Sequence, residues 1–214
     1  VHHAVKLVDT MHANNMPIRD HVYVDLVQAC IYGGQLLHVS TYFTQLIQRG
    51  VKLSLGMYLR ILHLCVQQPS TKLDGFSAIV FKDMLQHYPD HVVTRRHFVA
   101  LLTSHCTSQG IQHLMGLVGF VDRRRPDVLQ HNATWRALEL RIGTDNHAQA
   151  LWKQMEDGAW HPHVIQVVSA VWMKHGLFER VLQAHQALQQ HPSIQLTPLF
   201  LRHVAYSHKK IFSR

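Results

Sequence analysis

An apolar stripe that restarts at intervals near 35 residues constrains this chain more than any other feature. The stretch YVDLVQACIYGG opens on Tyr23 and sets Leu26, Val27, Cys30 and Ile31 three, four, seven and eight residues behind it. Those offsets put five side chains on one face of a helix with 3.6 residues per turn. They return behind Tyr58 (Ile61, Leu62, Cys65, Val66) and behind Phe98 (Leu101, Leu102, His105, Cys106). Trp135 leads a fourth copy with Leu138 and Ile142, in which Glu139 and Gly143 interrupt the stripe. Ile165 leads a fifth with Val168, Ser169, Trp172 and Met173, and Phe200 a weaker last one with His203 and Val204. Successive leads lie 35, 40, 37, 30 and 35 residues apart. The longest interval carries the turn-rich insertion QQPSTKLDG (67–75), and the shortest is trimmed around TDN and GAWHP.

Each copy also carries a second amphipathic helix. Its apolar positions are Val39, Phe43 and Leu46, followed by Gly50; then Ser77, Phe81 and Met84; then Ala148, Trp152 and Met155, followed by Gly158 and Pro162. Ala4, Val8 and Met11, followed by Pro17, read as the second helix of a truncated copy. A glycine after such a helix stops it through the left-handed conformation, and a nearby proline prevents continuation. One helix pair cannot bury both of its apolar faces, whereas stacked pairs can, so the expected fold is all-α, a solenoid of helix–turn–helix units. No alternating strand pattern competes, and no linker divides the chain. The expected organisation is one helical-repeat domain over 1–214. Its units fall at 1–19 (partial), 20–54, 55–94, 95–131, 132–161, 162–196 and 197–214 (partial).

Composition narrows the function. An apolar content of 47% belongs to a folded chain, and no apolar run approaches the roughly 18 residues of a membrane span. The net charge of +8 permits an acidic partner such as RNA, although only 16% of residues are charged. Three cysteines without CxxC spacing fit a reducing compartment and no disulfide framework. Helical patterning starts at the first residues, AVKLVDTMH, so the expectation is a natural chain that begins further upstream, with any targeting segment there.

The units resemble pentatricopeptide repeats. That family places an aromatic early in the first helix, a Leu-Ile pair three and four residues on, then Cys and Gly, as Tyr23, Leu26, Val27, Cys30 and Gly34 do here. Its second helix has Ala, Phe and Met at offsets 0, 4 and 7 before Gly-x-x-Pro-Asp, which Ala148, Trp152, Met155, Gly158 and Pro162 match closely. MHANNMPIRD, Met11 to Asp20, is similar to the end of such a unit. The resemblance spans nearly the whole chain, with every copy degenerate. No copy carries the W-x2-L-G-x2-Y pattern of tetratricopeptide repeats. The resemblance implies a right-handed stack of about eleven helices, first helices lining a concave face, in an organelle; the mitochondrial matrix is the expected location.

The family is implied to bind single-stranded RNA, one base per unit, through the residue after the lead aromatic and the last residue of the unit. Carried over, these pairs are Val24 with Ser54, Leu59 with Thr94, Val99 with His131, Arg136 with His161, and Gln166 with Leu196. Three of the five helix positions are aliphatic, leaving Arg136 and Gln166 as base-facing candidates. Contact with the RNA backbone is the remaining mode. Its candidates are Arg19, Arg49, Lys52, Arg60, Arg95, Arg96, Arg123, Arg124, Arg125, Lys209 and Lys210, near unit ends, loops and the C-terminus. The run RRRP (123–126) is placed in the turn after a second helix, where it reads equally as a phosphate grip or a solvated loop.

Catalysis is not expected. His161 and His163, and the pair His2 and His3, lack the further ligands of a metal site. Cys30 and Cys65 share one place in successive first helices, and Cys106 sits one residue further along its stripe, which suits burial. No phosphate loop, HExxH or GxSxG occurs, and the 13 acidic residues are dispersed. No cofactor or small-molecule substrate is expected. The expected role is a non-catalytic scaffold subunit of an organellar ribonucleoprotein such as the mitochondrial ribosome, touching rRNA backbone and neighbouring proteins. A free RNA-processing factor and a protein–protein adaptor are the alternatives.

Overall fold

A computed structural model describes residues 2–68, 73, 75–107 and 110–212. Val1 and much of the 67–75 insertion, residues 69–72 and 74, lie outside the described residues. Among the described residues there are thirteen α-helices and no strand, against about eleven helices expected. The chain divides between Ser104 and His105 into two compact units.

The N-terminal unit holds α1 (His2–Ala13), α2 (Asp20–Tyr32), α3 (Leu36–Gln48), α4 (Leu55–Gln67), α5 (Phe76–His87) and α6 (Arg95–Ser104). Neighbours in sequence pack together: α2 on α3, α4 on α5, and α4 on both α2 and α6. The leads Tyr23, Tyr58 and Phe98 each sit three residues into α2, α4 and α6, and each is fully buried. Each meets an aromatic ring of a second helix, Tyr23 that of Tyr42 at 6.3 Å. Phe43 meets Tyr58 edge-on at 6.2 Å and Phe76 at 5.7 Å, and Phe81 meets Phe98 at 5.0 Å. Edge-to-face geometry brings the positive ring edge to the negative face. The Tyr58 hydroxyl donates to Asp83 Oδ2 at 2.6 Å, which satisfies a carboxylate that packing has taken out of water.

Local chemistry sets the helix ends. Asp20 lies in the first turn of α2, where a carboxylate favours the positive end of the helix dipole. The Ser54 hydroxyl caps α4 by accepting from the Met57 amide. Beyond α3, Gly50 takes φ +67°, the left-handed conformation expected there. Gly158 does not. The end of α10 is instead closed by Asp157, whose amide donates to Lys153 O. The first helix led by Phe98 is also shorter than its stripe: α6 stops at Ser104, so His105 and Cys106 lie beyond it, though both are buried. The cause is local competition for carbonyls, since Thr103 Oγ1 donates to Val99 O and Ser104 Oγ to Leu101 O.

The C-terminal unit begins with a 3-10 turn (Gly110–His113) and continues through α7 (Leu114–Arg124), α8 (Pro126–Leu129), α9 (Asn132–Ile142), α10 (Asp145–Glu156), α11 (Pro162–Lys174), α12 (Phe178–Gln189) and α13 (Pro198–Phe212). Trp135, Ile165 and Phe200 are at most 2% exposed. Pro162 opens α11 at the position where its missing N–H costs nothing. The short α8 was not expected. It buries Val128 and Leu129, whose carbonyls accept from Thr134 Oγ1 and Trp135 Nε1, both at 2.6 Å. Two second-helix stripes that sequence reading passed over are also buried: Leu114, Val118 and Val121 of α7, and Val181, Ala184 and Leu188 of α12. No helix of the described residues is long and apolar enough to cross a membrane.

Candidate nucleic-acid interface

Burying the leads fixes what the first helices show on their other side. In the N-terminal unit, four side chains off the buried stripe line up across α2, α4 and α6. Tyr32, at the end of α2, is 69% exposed. Arg60 of α4 donates to its hydroxyl at 2.9 Å, with the guanidinium carbon 5.5 Å from the ring centroid. One turn along α4, the His63 side chain lies exposed. Its pKa is below the ordinary value because partial burial, then the charges of His97 and Arg96, disfavour the protonated form. Arg96 is exposed in the first turn of α6. An exposed ring against the Arg60 guanidinium, with the Arg96 charge felt at His63 one turn away, is the chemistry that takes a stacked base and its flanking phosphates. Tyr32 and His63 were not among the sequence candidates. The available signal was an aromatic outside the apolar stripe, just before Gly33-Gly34.

The other candidates divide by what they already touch. Arg49 is held within the protein: its guanidinium donates to Ile18 O, Asp20 Oδ1 and Tyr23 Oη, and packs 4.6 Å from the Tyr23 ring. Lys52 Nζ sits 4.1 Å over Tyr88. Arg19, exposed, precedes α2, and Arg95 is half-buried at the start of α6. Arg123 and Arg124 form the last turn of α7, so two of the three arginines are helical where a turn was expected. Arg124 packs 5.2 Å from the Phe120 ring. Arg125 makes a two-pronged ion pair with Asp127, both contacts at 2.7 Å, and holds that carboxyl below its usual pKa. Lys209 and Lys210 are exposed on α13, with Lys210 Nζ 5.5 Å from the Tyr206 ring.

At the base-reading positions, Val24, Leu59 and Val99 are half-buried, Arg136 is exposed and Gln166 is half-buried. Three of their five partners make local hydrogen bonds at helix starts. Besides Ser54, His131 Nδ1 accepts from the Ala133 amide, and Thr94 Oγ1 lies 2.8 Å from His97 Nδ1. A side chain that caps a helix has less to offer a Watson–Crick edge.

His161 and His163 meet in a different role. Both lie against Trp135, with ring centroids at 5.2 and 5.0 Å, and His163 stacks within 8° of parallel. Burial lowers the pKa of each, and His203, bonded to Ser169 Oγ, is lowered for the same reason. Unfolded histidines take up protons as pH falls through about 6.5, and the folded ones resist. Stability of the C-terminal unit is therefore present above that pH and falls as pH drops toward the folded pKa values. Thermal melts at pH 7.5 and 5 should show this loss, and His163→Phe, which keeps a ring on Trp135, should lessen it.

The cysteine thiols are buried, and burial pushes those of Cys65 and Cys106 up to about 12, which keeps them protonated at neutral pH. Among the described residues, no group of three or more His, Cys, Asp or Glu is placed to hold a metal ion. Comparison of the sequence with family models and with curated proteins returns no match.

Proposed function

We propose that the chain is a non-catalytic, pentatricopeptide-like scaffold subunit of an organellar ribonucleoprotein, with the mitochondrial ribosome as the assembly it fits. In this reading its helices stack as a right-handed solenoid of about five units plus a partial one, and it contacts rRNA through the backbone and neighbouring proteins through its remaining surface. The observation that carries the reading is the Tyr32–Arg60–His63–Arg96 strip beside aliphatic code positions. That combination offers stacking and positive charge without base-edge hydrogen bonds, so it grips a strand without reading it. Arg136, exposed on α9, and Gln166 on α11 keep hydrogen-bonding capacity and support the alternative of a free transcript-binding factor.

Sedimentation of lysates prepared with RNA intact separates the two. Co-migration with a large ribonucleoprotein particle is expected, and migration as a small free species overturns the scaffold reading. In vitro, Arg60→Ala with Arg96→Ala should weaken binding to poly(U) and poly(A) alike. It should also flatten the dependence of log K on log salt by about 1.4, roughly 0.7 for each phosphate no longer neutralised. An unchanged slope would remove these two residues from the interface.

A further inference from the structure

Where the end of α13 passes the turn from α11 into α12, the C-terminal unit holds a cleft of about 960 Å3. Gly176 of the turn, Phe178 and Glu179 of α12, and Tyr206, Lys209 and Lys210 of α13 line it in part. One part of the lining is aromatic. The Phe178 and Tyr206 rings lie 6.0 Å apart, and Tyr206 is 47% exposed. Another part is cationic. Adjacent residues of a helix point about 100° apart, yet Lys209 and Lys210 both reach this cleft. Both are exposed, and among the described residues neither is in an ion pair. Arg180, also on the wall, is spent on Asp145 and Gln149. Two unpaired ammonium groups beside an apolar surface attract an anion, since it relieves their mutual repulsion.

The rest of the lining selects the kind of anion. A phosphodiester strand suits it poorly, because Glu179 adds a carboxylate that repels a chain charged at every nucleotide. The ring on which a base would stack, Tyr206, already has Lys210 Nζ 5.5 Å over it and Phe178 beside it. A peptide carries its charges one side chain at a time. Its carboxylates can meet the lysines while a backbone N–H donates to Glu179 and an apolar side chain covers Phe178 and Tyr206. We infer that this cleft docks an extended segment of a partner protein in which acidic residues alternate with large apolar ones. Lys209 and Lys210 then serve a protein neighbour and not RNA. The inference takes its setting, a multiprotein particle, from the scaffold reading above.

The test follows amide spectra of the isotope-labelled whole chain as a capped tetrapeptide of alternating glutamate and leucine is added. Saturable shifts at Gly176 and at the end of α13 are expected, with a Kd on the order of 1 mM for so small a ligand. Gly50, in the N-terminal unit, should not respond. The same peptide with glutamine for glutamate should bind several-fold more weakly, the size expected for two exposed ion pairs, and hexauridylate should bind more weakly than the glutamate peptide. Lys209→Glu with Lys210→Glu, both at exposed positions, should lose the glutamate peptide and gain one of alternating lysine and leucine, an exchange that unfolding cannot produce. No saturable shift, equal binding of the glutamine peptide, a stronger response to hexauridylate, or a preference that survives the charge reversal each overturns the docking site. A chain that co-sediments with the large particle yet ignores the glutamate peptide keeps its scaffold role and loses the site. One that binds the peptide but sediments alone keeps the site and loses the setting.

Discussion

Phe98→Ala is expected to destabilise the N-terminal unit by about 3–5 kcal/mol, the range for truncating a buried aromatic. Phe98 is fully buried in α6, with the Phe81 ring 5.0 Å away at 65°. Alanine removes the ring's area from the core and opens a void that α5 and α6 close only in part, because packed side chains leave little room to relax. Phe98→Leu conserves most of the volume and should cost less than about 1.5 kcal/mol. Phe212→Ala is the surface control, since Phe212 is 66% exposed. Urea unfolding monitored by amide exchange in α4, α5 and α6 reads the effect where it arises. A loss below about 1 kcal/mol for Phe98→Ala would remove Phe98 from the core and the periodic lead from the account of the fold.

The periodicity was legible because burial leaves a mark on every turn. Six leads chosen by offset alone, from Tyr23 to Phe200, all fall within helices and are at most 2% exposed. The second helices were legible only where their residues contrast. Val39, Phe43 and Leu46 of α3 stand out, whereas in α7 Gly116 and Gly119 dilute the stripe of Leu114, Val118 and Val121. Trp152, read as a core position, is half-buried, because its indole lies against Trp160 and on the wall of a cleft. At the expected truncated unit, Val5 is buried in place of the exposed Ala4. The interface was less legible than the core. A basic residue in a sequence does not reveal whether it is spent, as Arg49 and Arg125 are, or available beside an exposed ring, as Arg60 is. The partner of Arg125, Asp127, is two residues away in sequence, but for Arg49 and Arg60 the distinction depends on partners 28 to 31 residues away that the fold brings near, and nothing within one helix encodes that.

Trp135→Ala should have an effect of similar size in the C-terminal unit, about 3–5 kcal/mol, and a second route adds to it. The indole is 2% exposed and does three things at once. Its rings fill the core at the start of α9. Its Nε1 donates to Leu129 O at 2.6 Å and so fastens α8, and its face carries His163 in parallel contact. Trp135→Phe separates these contributions. Phenylalanine retains a ring for His163 but leaves the Leu129 carbonyl without its donor, at a cost of about 1–3 kcal/mol for an unsatisfied buried group. The alanine variant also uncovers His161 and His163, whose depressed pKa values depend on burial. Exposed imidazoles titrate near their ordinary value, so the acid sensitivity of the C-terminal unit should shrink in Trp135→Ala while its stability at neutral pH falls. Paired denaturation curves at pH 7.5 and 5 test both halves. A Trp135→Ala variant that keeps the full acid loss would place its origin in groups other than these two histidines.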